Sequence, residues 1–214
     1  MGLTTELGSR IELVSMDPHF HDISIALYRQ ESETGPTLLV HTYSSIEGAQ
    51  QRIETVTAAM ATLGAMQQVE GAACQLRFGC GAGHQLASRR LFLEACKLPP
   101  EGTPQPRPLS IFDKKSSANV TVSSLGNGVY QLSTDGDSEA ASRRCSAITG
   151  GLAKLGEMES AEDGENRIAF SCGHAHDELA GLLLVRALNV RSTLREQEMA
   201  AARGQLAAPS AQKQ

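Results

Sequence analysis

The chain contains no tryptophan, and aromatic residues make up only 4% of its 214 residues. So few aromatic side chains provide little surface on which bases or sugars could stack. An excess of basic charge is missing too, because acidic residues outnumber Lys and Arg and the formal net charge is −5. Binding nucleic acid through its phosphates requires a basic face. We therefore expect no nucleic-acid partner.

Long hydrophobic runs are also missing. No apolar stretch approaches the roughly 18 residues that a membrane span needs, and residues 1–48 lack the basic start and apolar segment of a secretion signal. The five cysteines are an odd number, which argues against a complete disulfide framework. Hydrophobic residues still make up 41% of the chain, enough for a buried core. These observations predict a cytoplasmic protein with no membrane partner.

The sequence does contain an internal repeat. Shifting the chain by 92 positions aligns Val40–Leu98 with Leu132–Val190 without a gap, and 16 of these 59 positions are identical. The segments upstream also match once one hairpin loop is shortened. The predicted organisation is two homologous units at 10–98 and 107–191, a proline-rich linker at 99–106, and a helical extension with a flexible tail at 192–214.

Hydrophobic periodicity predicts the order strand, strand, strand, helix, strand, helix in each unit. Alternation in 22–29 and 37–43 indicates a hairpin, and apolar residues spaced by three and four from Ala49 onward indicate a helix with one buried face. The predicted fold class is α+β. Two tandem units pack with pseudo-twofold symmetry, and the helices lie mainly on one face of an antiparallel or mixed sheet.

Two further residues of the repeat lie in this helix, and each has an expected role. The glycine repeated as Gly64 and Gly156 is expected to adopt the left-handed conformation that ends a helix. The arginine repeated as Arg52 and Arg144 lies beside the apolar stripe and is expected to flank it in solvent.

The repeat also sorts the cysteines and histidines. Cys80 aligns with Cys172 and His84 aligns with His176, whereas no other cysteine or histidine occurs at matching positions in both units. The pattern His19-Phe20-His21 has metal-like spacing but no counterpart in the second unit. The remaining cysteines are predicted to be buried, unreactive thiols: Cys74, Cys96 and Cys145.

One motif therefore occurs twice, as Phe-Gly-Cys-Gly-Ala-Gly-His at 78–84 and Phe-Ser-Cys-Gly-His-Ala-His at 170–176. The cysteine is predicted to end a strand, the following glycine to turn the chain, and the histidine to enter the first turn of a helix. Thiol and imidazole would then point into the layer between sheet and helices. A pseudo-twofold axis would bring the two pairs together.

This arrangement supports a metal-site hypothesis. Cys80, His84, Cys172 and His176 would form a Cys₂His₂ set that joins the two units, since thiolate and neutral imidazole are favoured zinc ligands. The spacing of four within each pair differs from that of Cys-x₂-Cys fingers. The sequence thus predicts either no cofactor or a zinc ion.

Three other interpretations remain open. The N–H groups of the glycine corners could hold a small anionic ligand, with Gly81, His84, Gly173 and His176 as the binding residues. A cysteine beside a histidine has the ingredients of an activated nucleophile. The motif could also be purely structural, with a small cysteine closing the core and the histidine satisfying backbone groups at the helix start.

From these observations we predict a non-catalytic binding or scaffold module. Its ligand would be a small molecule or a metal bound at the duplicated corners, and it could form homo-oligomers through sheet edges or exposed helix faces. The alternative is an enzyme with Cys80 or Cys172 as nucleophile and the following histidine, His84 or His176, as base. No third catalytic residue is evident in the sequence.

Overall fold

The computed structural model describes residues 10–16, 23–45, 47–99, 104, 108–161 and 164–189. The predicted tail, most of the predicted linker, and His19 and His21 lie outside the described residues. The unit boundaries themselves remain a prediction.

The first unit consists of a five-stranded antiparallel sheet and two helices, with the strands in the order β1-β2-β3-β5-β4. Its elements are β1 (Arg10–Met16), β2 (Ile25–Ser32), β3 (Gly35–Thr42), α1 (Ala49–Gly64), β4 (Gln67–Val69), β5 (Ala72–Arg77) and α2 (Gln85–Ala95).

The second unit repeats this plan, with strand order β6-β7-β8-β10-β9 and all neighbours antiparallel. Its elements are β6 (Ser110–Asp113), β7 (Ala118–Gly126), β8 (Val129–Thr134), α3 (Glu139–Gly156), β9 (Met158–Ser160), β10 (Arg167–Phe170) and α4 (Asp177–Ala187).

The order within a unit is therefore βββαββα, which adds one strand to the predicted order. The additional strands, β4 and β9, have only three residues each. So short a segment shows no alternation that could be recognised in the sequence. The predicted hairpins are present. In the second unit, Asn127 and Gly128 link β7 to β8 with φ values of 50° and 73°, the left-handed conformation that tight hairpin turns require.

The helices pack on the sheets of their own units and also meet helices of the other unit. α1 packs on β3 and β5, and α3 packs on β8, β9 and β10. Between units, α1 contacts α4, α2 contacts α3, and α2 contacts α4. Exchanging the two units turns the α1–α4 contact into the α3–α2 contact and leaves the α2–α4 contact unchanged. This is the pattern that a twofold axis produces. The predicted α+β fold of two tandem units is confirmed.

The hydrophobic core is one continuous cluster to which both units contribute, and the largest fully buried side chains come from both. None of the helices among the described residues combines the length and the apolar character needed to cross a membrane.

The repeated glycine serves a different purpose from the predicted one. The residue after it adopts the left-handed conformation, Ala65 in the first unit (φ 48°) and Glu157 in the second (φ 55°). A Cβ atom on Gly64 would lie 2.8 Å from Leu91 Cδ1, and one on Gly156 would lie 2.9 Å from Leu183 Cδ1. A side chain here would therefore force the neighbouring leucine to shift, because the end of one helix closely approaches the next helix.

The prediction of solvated arginines is wrong. Arg52 is only 5% exposed and donates to the carbonyl oxygens of Cys96 and Leu98 at 2.6 and 2.8 Å. Arg144 is 9% exposed and donates to the Leu188 carbonyl at 2.6 Å. Each guanidinium therefore satisfies carbonyl groups at the end of the second helix of its unit, which have no partner within that helix.

Candidate metal centre

Two sharp corners bring the repeated motif into position. Gly81 and Gly173 have φ values of 76° and 71°, a conformation that glycine adopts at least cost. Their N–H groups donate to the carbonyl oxygens of Phe78 and Phe170, each at 3.0 Å. The predicted glycine corners are therefore present, and their N–H groups are already used within the turn.

The cysteines and histidines lie slightly differently from the prediction. β5 ends at Arg77 and β10 at Phe170, so both cysteines lie in the turn beyond the strand. The histidines are the residues just before α2 and α4, not members of the first helical turn. Each sulfur accepts a backbone N–H at 3.4 Å, from Ala82 for Cys80 and from His174 for Cys172.

The fold brings all four shared side chains together. The Sγ atom of Cys80 lies 3.3 Å from Nε2 of His84, and the same 3.3 Å separates Cys172 Sγ from His176 Nε2. One ligand atom from each of the four residues lies within 4.8 Å of all the others. For zinc bonds of about 2.3 Å to sulfur and 2.0 Å to nitrogen, tetrahedral ligand atoms are roughly 3.3–3.8 Å apart. The largest separation in the cluster therefore exceeds the spacing of a tetrahedral set by about 1 Å, and the four residues could hold a metal ion.

Two phenylalanines enclose the histidines in a nearly symmetric aromatic box. The rings of His84 and His176 have centroids 4.8 Å apart. Each histidine packs edge-on against the phenylalanine of its own unit, at 4.8 Å for Phe78 and 4.9 Å for Phe170, and against the other at 5.5 Å. His84 is 6% exposed and His176 is 8% exposed. The imidazoles therefore lie in a largely dry environment that orients both rings.

This environment controls protonation. Burial, with a contribution from neighbouring His176, lowers the pKa of His84 to about 4. Burial also lowers the pKa of His176, and nearby His174 acts in the same direction. The pKa of Cys80 is raised, chiefly by burial and further by Cys172, although the Ala82 N–H opposes the shift. At neutral pH both imidazoles are therefore uncharged, the form in which histidine binds a metal ion.

A hydrogen-bond network around His176 was missed by the sequence analysis. The backbone N–H of His176 donates to the Tyr130 hydroxyl at 2.6 Å, and that hydroxyl donates to the Asp177 carboxylate at 2.9 Å. Tyr130 is fully buried. A sequence signal was present, since tyrosine replaces Leu38 at this inward strand position, and a buried tyrosine hydroxyl needs a partner.

Among the described residues, the other cysteines and histidines lie outside the cluster. Cys96 and Cys145 are buried as predicted, and burial raises the pKa of both thiols, that of Cys96 to about 11. Cys74 differs from the prediction, because it is only half-buried at the edge of the core. His41 lies on β3 and contacts the ring of Tyr43, which follows the end of that strand.

Comparison of the chain with protein-family models, with curated proteins and with solved structures found no match.

Proposed function

We propose that this protein binds one zinc ion between its two units and that the ion acts as a structural cross-link in a non-catalytic module. The observation that carries the proposal is the convergence of four ligand atoms, two sulfurs and two nitrogens, within 4.8 Å. Each unit supplies one cysteine and one histidine. The ion would therefore hold the two units together at their pseudo-twofold axis.

The donor set favours zinc over harder ions. Sulfur and imidazole ligands in a tetrahedral arrangement suit zinc, whereas magnesium and calcium prefer oxygen ligands. Two thiolates and two neutral imidazoles also balance the +2 charge of the ion. Because metal binding requires thiolates, loading would release the protons that the thiols carry, and affinity would increase with pH.

Four protein ligands favour a structural site over a catalytic one. Catalytic zinc ions commonly have three protein ligands and keep a fourth position for water or substrate. With Cys80, His84, Cys172 and His176 all bound, no such position is left. The packing of Phe78 and Phe170 against the imidazoles also restricts access to the ion.

The alternative of a Cys–His enzyme has less support. A general base works best with a pKa near the working pH, and that of His84 is lowered to about 4. Within the described part of the chain, no partner orients Nδ1 of either histidine. The hypothesis of a small anionic ligand also loses support, because the N–H groups of Gly81 and Gly173 donate within their own turns.

The proposal is tested by native mass spectrometry and elemental analysis of the full chain, purified without chelator or metal-affinity resin. We expect one zinc per chain. The variants Cys80→Ser and Cys172→Ser should each lose the ion, whereas the control Cys74→Ser should keep it. Cobalt loading should give thiolate-to-cobalt charge-transfer absorption and the visible bands of tetrahedral cobalt.

A metal-free chain that shows no such absorption when cobalt is added would overturn the proposal. The same native spectra would report the predicted homo-oligomer. A cytoplasmic location belongs to the proposal as well, because all five cysteines are free thiols and a reducing compartment keeps thiols in that state.

A further inference from the structure

The two thiols of the site come from different units and lie next to each other. Their sulfur atoms are within 4.8 Å of each other. Both residues are partly exposed, whereas Cys96 and Cys145 are buried in the core. A reagent from solvent can therefore reach these two neighbouring sulfurs more easily than the core thiols.

We propose that Cys80 and Cys172 are a redox pair, which a peroxide oxidises to a disulfide that links the two units and displaces the metal ion. The displacement of metal rests on the proposed function. The disulfide itself depends only on the positions of the two sulfurs.

The reaction balances with hydrogen peroxide as the oxidant. One thiolate attacks the peroxide, so that an S–O bond forms, the O–O bond breaks and hydroxide leaves. The second thiolate then attacks the sulfenic acid sulfur, the S–S bond forms, and a second hydroxide leaves. With two protons from solvent the products are one disulfide and two water molecules. The two sulfurs lose two electrons, and the peroxide gains them.

The same reaction removes two of the four metal ligands. After oxidation only the imidazoles of His84 and His176 remain to bind the ion, and a disulfide sulfur no longer carries the charge of a thiolate ligand. Zinc would then leave, while the disulfide replaces the ion as the link between units. The two states are mutually exclusive because they use the same sulfur atoms.

Closure of the disulfide requires a limited movement of the two sulfurs. An S–S bond is about 2.05 Å long, so the sulfurs must approach by less than about 3 Å. Gly81 and Gly173 follow directly after the two cysteines, and both already have positive φ values, which glycine adopts without strain. The N–H groups of Ala82 and His174 donate to the two sulfurs at 3.4 Å and hold both cysteine turns in similar geometry.

The test treats the zinc-loaded full chain with stoichiometric hydrogen peroxide. We expect one zinc ion released per chain, measured with a chromogenic chelator, together with a mass loss of about 2 Da and a cross-linked Cys80–Cys172 peptide after non-reducing digestion. A thiol reductant should reverse the cross-link and allow zinc to bind again. Cys74→Ser should react like the natural chain, whereas Cys80→Ser should form no cross-link.

A parallel reaction uses protein stripped of metal by chelation, because Cys80→Ser is also expected to lose zinc. This protein should form the same disulfide, and faster. Oxygen addition to the cysteines without a Cys80–Cys172 cross-link, in either preparation, would overturn the redox pair and leave the metal site intact. A chain that never binds metal but still forms the cross-link would overturn the proposed function and support the redox pair.

Discussion

The two units supply identical ligands but hold their histidines differently. His84 adopts the left-handed conformation, with φ 37° and ψ 58°, whereas His176 has φ −135° and ψ 72°. Only the second unit has the tyrosine that accepts the His176 N–H, because leucine occupies the equivalent position of the first unit. The duplicated ligands are therefore the same, while the hydrogen bonds that position them differ.

The buried arginines show the same asymmetry. Arg52 bonds to two carbonyl groups, and its Nε atom has no hydrogen-bond partner among the described residues. Arg144 bonds to a carbonyl and also forms an ion pair with Asp113, 4% exposed, at 3.0 Å. In both comparisons the second unit has a hydrogen bond or ion pair that the described part of the first unit lacks. We therefore expect substitutions in the second unit to have the larger effects.

The largest difference is expected between Arg144→Ala and Arg52→Ala. Loss of Arg144 leaves Asp113 as a buried carboxylate without its cationic partner, which should lower the free energy of unfolding by about 3–5 kcal/mol. Loss of Arg52 leaves only carbonyl groups without a partner, at a cost of about 1–3 kcal/mol. Urea denaturation of both variants measures the difference. Equal losses would show that the Asp113 pair does not distinguish the units.

A smaller effect is expected from Tyr130→Phe, which removes the hydroxyl that bonds to His176 and Asp177. The buried N–H left without a partner should cost about 1–3 kcal/mol in stability. Poorer positioning of His176 should weaken zinc binding about 10–100-fold. Competition with a chelator measures the affinity. The control Tyr28→Phe removes a hydroxyl that bonds to Tyr43 and should leave zinc affinity unchanged; an equal affinity in both variants would contradict the positioning role.

The Asp113 pair also predicts a pH dependence. Burial acts to raise the pKa of Asp113, but hydrogen bonds from Arg144 and Ser116 outweigh it and hold the pKa below its ordinary value. A carboxyl with a lowered folded-state pKa stabilises the fold above its unfolded pKa of about 3.9, and this contribution is lost as the pH falls through the folded value. Urea unfolding below pH 4 should show the loss, and Asp113→Asn should reduce that slope. An unchanged slope would exclude Asp113 as its source.

The smallest effects are expected from Gly64→Ala and Gly156→Ala, where the units are most alike. The added methyl would meet a leucine methyl at 2.8 Å in the first unit and 2.9 Å in the second. Overpacking destabilises the fold by about 1–3 kcal/mol, and the higher helix propensity of alanine offsets about 1 kcal/mol of this loss. We expect a net loss of about 1 kcal/mol for each variant, measured by thermal unfolding. A stabilised variant would show that the neighbouring leucine moves aside without cost.

Most of the architecture could be predicted from sequence because the internal repeat allows the two units to be compared position by position. Identity between the units distinguished the candidate ligands, such as Cys80 and Cys172, from core cysteines such as Cys145. Periodicity then gave the strands and helices. It failed at β4 and β9, since three residues do not establish a period.

The repeat did not reveal what each shared residue does. In the helical pattern, Arg52 and Arg144 lie beside the apolar stripe, a position typical of solvent-exposed residues. Only the tertiary contacts place them against the ends of α2 and α4. Gly64 does end its helix as predicted, but the left-handed residue is the next one, Ala65, and the glycine itself allows the close approach of Leu91. Comparison of the two units does not indicate a role for Tyr130, because this tyrosine occurs in one unit only.

The sequence by itself determined the duplicated α+β plan and the two Cys–His pairs, because periodicity and self-similarity are properties of the chain. Only the tertiary structure decided that four ligand atoms meet. Each corner is local, but the distance between two corners 92 residues apart depends on how α2 and α4 pack. That packing follows from burial of one shared core, a collective property that no single motif encodes.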